Sequence, residues 1–220
     1  MSYVFQFGTV WRELDHLLLG AWLTLRLSAL AMILGLAVGI AGAQATTSSS
    51  RLLRGMVQCY VEAIRNTPFL VQLLLIYLGL PSLGLRLTPD QAALLAMVVN
   101  LGAYATEIVR AGIEAVPKGH IEAGLSLAMT KWEVLRRIVL NQAFRKIYPA
   151  LSSQIIIVML GSSVVSQISA EDLTYAANFV QSRNFRAFEV YVVAAAIYLL
   201  LAIIARYILR GVGWLVFPRS

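Results

Sequence analysis

The chain has 220 residues, of which 59% are hydrophobic and 13% are charged, against about 25% charged in a soluble domain. That much apolar surface exceeds what one soluble core absorbs, so the bilayer is the expected solvent. The formal charge of +7 does not point to nucleic acid, because the basic residues flank apolar runs and form no basic face with interleaved aromatics.

In chain order, the first apolar run covers residues 17–45. The small-residue tripeptides Ala41-Gly42-Ala43 and Ala43-Gln44-Ala45 resemble leader cleavage sites. The residues before the run, however, include Glu13 and Asp15 beside only Arg12, and the run is longer than a leader's roughly 7–15 residues. It is read as a retained first span, in which Arg26 either snorkels toward the outer surface or faces another helix. Gly35, Gly39 and Ala43 form a small-xxx-small ladder, and Gly102 and Ala103 could act likewise, suited either to packing within the chain or to a face for a second copy or a related chain. Cys59, the single cysteine, excludes an intrachain disulfide and is read as a small apolar side chain.

Residues 57–80, 91–112, 147–168 and 188–209 supply four further spans, given that about 20 helical residues cross the hydrocarbon. The second is the weakest. Glu62, Arg65 and Pro68 interrupt it, which implies either a polar start in the headgroup region or burial within the protein. Lysine and arginine gather in the loops after spans one and three and in the C-terminal tail. The positive-inside rule makes that side cytoplasmic, with the N-terminus outside and the C-terminus inside. The expected fold is thus an all-α membrane protein with five transmembrane helices, a single domain over 1–220.

No motif for chemistry is present. A G-x-x-x-x-G-K-[ST] loop is lacking, so ATP is not expected to bind by that route. His16 and His120 fall on opposite sides of the membrane, which argues against a metal site. Ser162-Ser163 lies in a span that holds no base, which argues against a serine nucleophile. The chain is expected to be non-catalytic and to bind no cofactor itself.

The basic loop at about 113–146 carries the strongest signal. Ile121, Leu125 and Ala128 recur at helical spacing. Thr130 and Glu133 have the capping-box form, followed by an apolar face of Trp132, Leu135, Ile138 and Val139. Two short amphipathic helices joined by a turn are expected, suited to a membrane surface or to a partner's groove.

Here the chain resembles the membrane subunits of binding-protein-dependent ABC importers. These carry E-A-A-x-x-x-G, nine residues, then I-x-L-P. Glu122, Ala123, Ile138 and Leu140 match. Gly124, Ala128 and Asn141 depart, standing where the family has alanine, glycine and proline. Gly124 and Ala128 look like an exchange of two small residues, and alanine disfavours the positive φ that glycine permits, so the turn is expected to be set differently. Tyr60-Val61-Glu62, the run Arg65 to Gln72, Leu80-Pro81, Tyr104, Glu107, Arg110, Val116-Pro117-Lys118-Gly119 and Asp172-Leu173-Thr174 narrow the resemblance to the polar amino acid branch.

The resemblance implies a type I ABC importer permease fold in the bacterial inner membrane. It implies coupling helices docked on a dimer of ATP-binding cassette subunits, where ATP and Mg²⁺ reside, a second permease subunit (identical or related), and a periplasmic or lipid-anchored amino acid binding protein. Membrane lipid is the remaining partner. Glu122, Ala123, Gly124, Ala128, Ile138 and Leu140 are the candidate coupling residues. For a zwitterionic substrate, Arg86 suits the carboxylate and Glu171 or Asp172 the amine. Gln72, Asn100, Tyr104, Ser162 and Ser163 are candidate pathway residues, because polar groups within spans face other helices or a pathway. Two alternatives stay open: a permease of another importer branch (metal, sugar or peptide), and a membrane anchor or sensor subunit whose loop recruits a signalling partner.

Overall fold

The computed structural model describes residues 4–216, and these form helices joined by short turns, with no strand among the described residues. A short α1 (Gly8–Trp11) leads into α2 (Leu14–Thr46), α3 (Arg51–Arg65) and α4 (Phe69–Gly79), the last extended by a 3₁₀ turn at Leu80–Leu83. Then come α5 (Pro89–Glu114), α6 (Lys118–Ser126), the short α7 (Lys131–Glu133), a π-helical segment Val134–Val139 and α8 (Leu140–Gly161) with a 3₁₀ extension Ser162–Ile168. The last two are α9 (Leu173–Asn184) and α10 (Ala187–Val216). Four stretches are long and apolar enough to cross a membrane: α2, α5, Lys131–Ile168 and α10, and the bent pair Arg51–Arg65 with Phe69–Leu83 makes a fifth if taken as one span.

The pair α2 and α5 forms the axis of the bundle. Their backbones meet because glycines line the seam. A Cβ on Gly35 would stand 2.9 Å from three Leu101 atoms, and one on Gly39 would press on Ala105 and the Thr106 nitrogen. The small-residue ladder therefore serves packing within the chain. Gly112 does the same where α5 crosses α8 at Ile147.

The second span departs from expectation. Instead of one helix over 57–80, α3 and α4 meet at a bend of 111°. Pro68 excludes the α conformation at Thr67 and has no N–H to continue the ladder. The carbonyls this frees at the end of α3 need donors. Gln72, buried in α4, supplies them: its Nε2 donates to Ile64 O at 2.7 Å and to Thr67 O at 3.0 Å. Asn100 Nδ2 then donates to Gln72 Oε1 at 3.0 Å, pinning the bend to α5. Tyr60 on α3 donates to Val99 O at 2.7 Å.

The second departure is α9, on the outer side between the last two spans, where no helix was expected. Its first turn is held by Asp172 Oδ1, which accepts from Tyr175 N at 2.8 Å, and by Thr24 of α2, whose Oγ1 accepts from Leu173 N at 3.0 Å. Leu173, Ala176, Ala177 and Val180 form its buried face. Gly20 of α2 admits Ala176, 2.7 Å from the place a Cβ would take.

Candidate functional site

Two features stand out, one at each end of a single continuous rod. At the base, the loop after α5 folds into α6, a tight turn and then α7. Thr130 and Glu133 form the expected capping box, with Thr130 Oγ1 accepting from Glu133 N at 3.3 Å and Glu133 Oε2 accepting from Thr130 N at 3.0 Å. The second helix is not separate, however. It continues through the π segment into α8, so the second half of the candidate coupling loop is the foot of the fourth span. No glycine or proline intervenes between Thr130 and Pro149 to end it.

Helix α6 lies against that foot. Gly124 is buried, and a Cβ there would stand 2.7 Å from Ile138 Cδ1 and 3.0 Å from Val134 Cγ2. Val116, Val134, Val139 and Ala143 form a small core beneath the crossing, joined by Ile121, Met129 and Ile138. Lys146 Nζ caps the end of α5 by donating to Ala115 O at 2.6 Å. Ala128 adopts φ +58°, so the turn keeps a left-handed residue although alanine stands there. Alanine at this left-handed position carries a backbone strain that glycine would not. The Gly124 position now has its own reason, the close crossing.

The six coupling candidates divide by side. Glu122, Ala123 and Ala128 are exposed, Leu140 and Ile138 are half-buried, and Gly124 is buried. Glu122 has no hydrogen-bond or ion-pair partner among the described residues. Leu127, not singled out from sequence, and Trp132, read there as part of an apolar face for a membrane surface or a partner's groove, are 78% and 65% exposed in the same loop. A loop that exposes large apolar side chains together with an unpaired carboxylate suits a partner's surface.

Higher up, α8 lines a cavity of about 400 Å³ bounded by Thr67, Pro68 and Phe69 at the bend, Asn100 and Tyr104 on α5, and Gln154, Ile157, Val158 and Gly161 on α8. Arg65 stacks its guanidinium 5.7 Å from the centre of the Tyr104 ring. Gln72 adjoins the cavity through Asn100 but is spent on the bend. Thr67 and Gln154 escaped the sequence reading. A glutamine within the fourth apolar run was signal enough for the second.

A further recess of about 420 Å³ lies between α3 and the end of α5, bearing Arg54, Glu62, Glu107, Arg110 and Glu114. Arg110 is clamped there, its Nε 3.0 Å from Glu107 Oε2 and one terminal nitrogen 2.6 Å from Glu114 Oε1, with Arg65 4.0 Å from Glu107.

The remaining pathway candidates lie elsewhere. Ser162 is buried and donates to Met159 O at 2.7 Å, while Ser163 offers its carbonyl to Ser166 Oγ at 2.9 Å. Arg86 is exposed in the outer segment before α5 and outside both cavities. Glu171 is exposed beside a small outer recess of about 220 Å³ that also includes Asp172. Asp172 itself is fully buried, and its second oxygen accepts from Tyr198 OH at 2.8 Å. Burial pushes its carboxyl up to about 6, with the Tyr175 N–H and Tyr198 hydroxyl pulling it back. It is a helix cap rather than an accessible ligand, and the structure does not bring Arg86 and Asp172 into one cavity.

The sequence profile described as "Binding-protein-dependent transport system inner membrane component" matches residues 20–212. The chain belongs to this family. It is 34% identical over 208 residues to the glutamine transport system permease protein GlnP of Escherichia coli K12, covering 94% of this chain and 95% of that one. It is 40% identical over 180 residues to the L-cystine transport system permease protein TcyB of Bacillus subtilis, covering 81% and 77%. Among solved structures, an amino acid ABC transporter crystallised with histidines superposes with a TM-score of 0.90 at 36% identity, over 96% of this chain and 99% of that one. The inward-facing MetNI methionine ABC transporter shares the fold, with a TM-score of 0.74 at 19% identity, over 91% and 96%. This permease is therefore a transport subunit with the type I importer fold.

Proposed function

We propose that this permease moves polar amino acids through the cavity at Thr67, Asn100, Tyr104 and Gln154, and that Glu122, Ala123, Leu127 and Trp132 dock on an ATP-binding subunit. The observation that carries the reading is the continuity of α7, the π segment and α8. One rod joins the docking surface to the cavity wall, so a displacement at the foot moves Gln154 and Ile157 without passing through a loop. Loop charge supports placing that foot in the cytoplasm of a bacterial inner membrane.

The cavity suits the substrate class. Amide, hydroxyl and phenol groups satisfy a zwitterion's hydrogen bonds, Phe69 and Ile157 accommodate its side chain, and Arg65 at the edge favours the carboxylate. Named substrates of similar permeases, glutamine and cystine, agree with it. Arg86 and Glu171, exposed on the outer face, fit contact with a periplasmic or lipid-anchored binding protein better than a place in the cavity. The assembly would hold two such ATP-binding subunits with Mg²⁺ and ATP, and a second permease of the same or related sequence.

Uptake of a labelled amino acid panel by the reconstituted complex tests the proposal. Gln154→Leu with Asn100→Leu is expected to abolish amino acid stimulation of ATP hydrolysis while the subunits stay assembled. Glu122→Arg with Leu127→Asp is expected to release the ATP-binding subunit on purification. Stimulation unchanged by the first pair removes the cavity from the pathway, and an intact complex after the second removes the docking surface.

A further inference from the structure

A groove of about 810 Å³ runs between α8 and the last turns of α10, and of its lining only Ile157 is shared with the cavity of the transport reading. Its upper wall is Ser152, Ser153, Ile156, Ile157 and Leu160, and its lower rim carries Arg145, Arg206 and Arg210 beside Trp214. All three arginines are exposed, no acidic side chain lines the groove, and none of the three has an ion-pair or hydrogen-bond partner among the described residues. Arg110 and Arg183, by contrast, are paired with carboxylates.

One more polar group goes unsatisfied along the same wall, and one helix hydrogen bond is missing beside it. Ser152 Oγ is buried with no hydrogen-bond partner. Pro149 has no N–H to offer the carbonyl of Arg145 one turn earlier. Trp214 is 76% exposed at the level of the arginines, which suits the headgroup boundary where indoles concentrate. The groove thus has a cationic end near the cytoplasmic surface and an apolar end toward the membrane interior. That polarity is the shape of an anionic lipid standing in the inner leaflet.

We propose that the groove binds one anionic phospholipid of the cytoplasmic leaflet, its phosphate held by Arg145, Arg206 and Arg210 and one acyl chain laid along Ser152, Ile156 and Leu160. Charge complementarity selects this occupant. A second permease copy placing an apolar helix here would bury three arginines without anions, at a large desolvation cost. Because α8 carries the docking foot, the bound lipid braces the rod against α10.

The complex as purified from membranes is examined by native mass spectrometry in detergent doped with equal phosphatidylglycerol and phosphatidylcholine. Wild type is expected to retain phosphatidylglycerol selectively. Removing two cations with Arg206→Gln and Arg210→Gln is expected to lower that retention roughly thirty-fold, taking each arginine at its usual weight near an anionic surface, and to leave phosphatidylcholine unchanged. Ser153→Trp, which fills the groove and keeps every charge, is expected to lower retention too, and carries the test if the arginine variant does not assemble. Glycerol 3-phosphate, offering the phosphate without acyl chains, is expected not to displace the lipid. Equal retention of both lipids, unchanged retention in the variants, displacement by glycerol 3-phosphate, or a disulfide between Ser153→Cys residues of two copies would each overturn the proposal. None of these results depends on which substrate the cavity admits, so the two proposals fail separately.

Discussion

Asp172 illustrates how a residue's surroundings decide its role. From sequence it is a carboxylate on the outer side, available to an amine. In the fold it is buried, caps α9 and accepts from Tyr198 across to α10. Burial raises its pKa from 3.8 to about 6, so the folded state favours the proton more than the unfolded state does. For a raised acid the associated stability is present below the unfolded pKa and lost as pH rises to the folded value. The full difference is on the order of 3 kcal/mol for two pKa units. The apparent melting temperature is therefore expected to fall as external pH goes from about 4 to about 6. Asp172→Asn keeps an acceptor for Tyr175 and is expected to flatten that slope, as followed by thermal unfolding across the range in parallel with wild type. An unchanged slope in the variant would assign the pH dependence to another group.

At the scale of elements, what was legible in the sequence is what repeats along one helix. The apolar runs located α2 and α5 to within a few residues and α8 and α10 with one end about seven residues off, and Thr130 with Glu133 located α7. What escaped depends on contacts between elements. The bend at Pro68 needs Gln72 of α4, held in turn by Asn100 of α5, to satisfy it, and α9 needs Thr24 from α2 to start its first turn. The coupling loop shows both cases. Its helical faces were readable, but the fusion of its second half with α8 was not, because nothing local marks where a surface helix becomes a span. The crossing of α6 over the foot makes a prediction about two residues at once. Gly124→Ala is expected to destabilise by about 1–3 kcal/mol through overpacking, because the added carbon meets Ile138 Cδ1 and Val134 Cγ2. Ile138→Val removes the first of those atoms. The pair is expected to be more stable than the two single effects sum to, by roughly 1 kcal/mol in a double-mutant cycle on thermal unfolding. Strict additivity would mean that α6 is not seated on the foot.

For the whole molecule, the candidate site was half legible. The proposed docking residues came from a family resemblance at Glu122, Ala123, Ile138 and Leu140, and Asn100 and Tyr104 were singled out by their polarity inside a span, but the cavity itself needs the bend at Pro68, which the sequence did not place. The physical link between the two halves is helix stiffness. Arg136 and Arg137 lie in the π segment, both exposed, with Arg137 only 4.0 Å from Glu133 as an exposed pair that contributes little. Replacing both by glycine removes no buried contact but lowers helix propensity by about 1 kcal/mol per position. Replacing both by alanine removes the same charges and keeps the rod stiff. If the squeeze from an ATP-binding subunit travels through this rod, the glycine pair is expected to leave that subunit bound and its basal ATP hydrolysis near wild type. Uptake is expected to fall several-fold, and the alanine pair is expected to stay close to wild type. Equal uptake in the two pairs would show that the charges or some other contact carry the coupling. Loss of the bound subunit in both would place the two arginines in the docking surface itself, with Glu122 and Trp132.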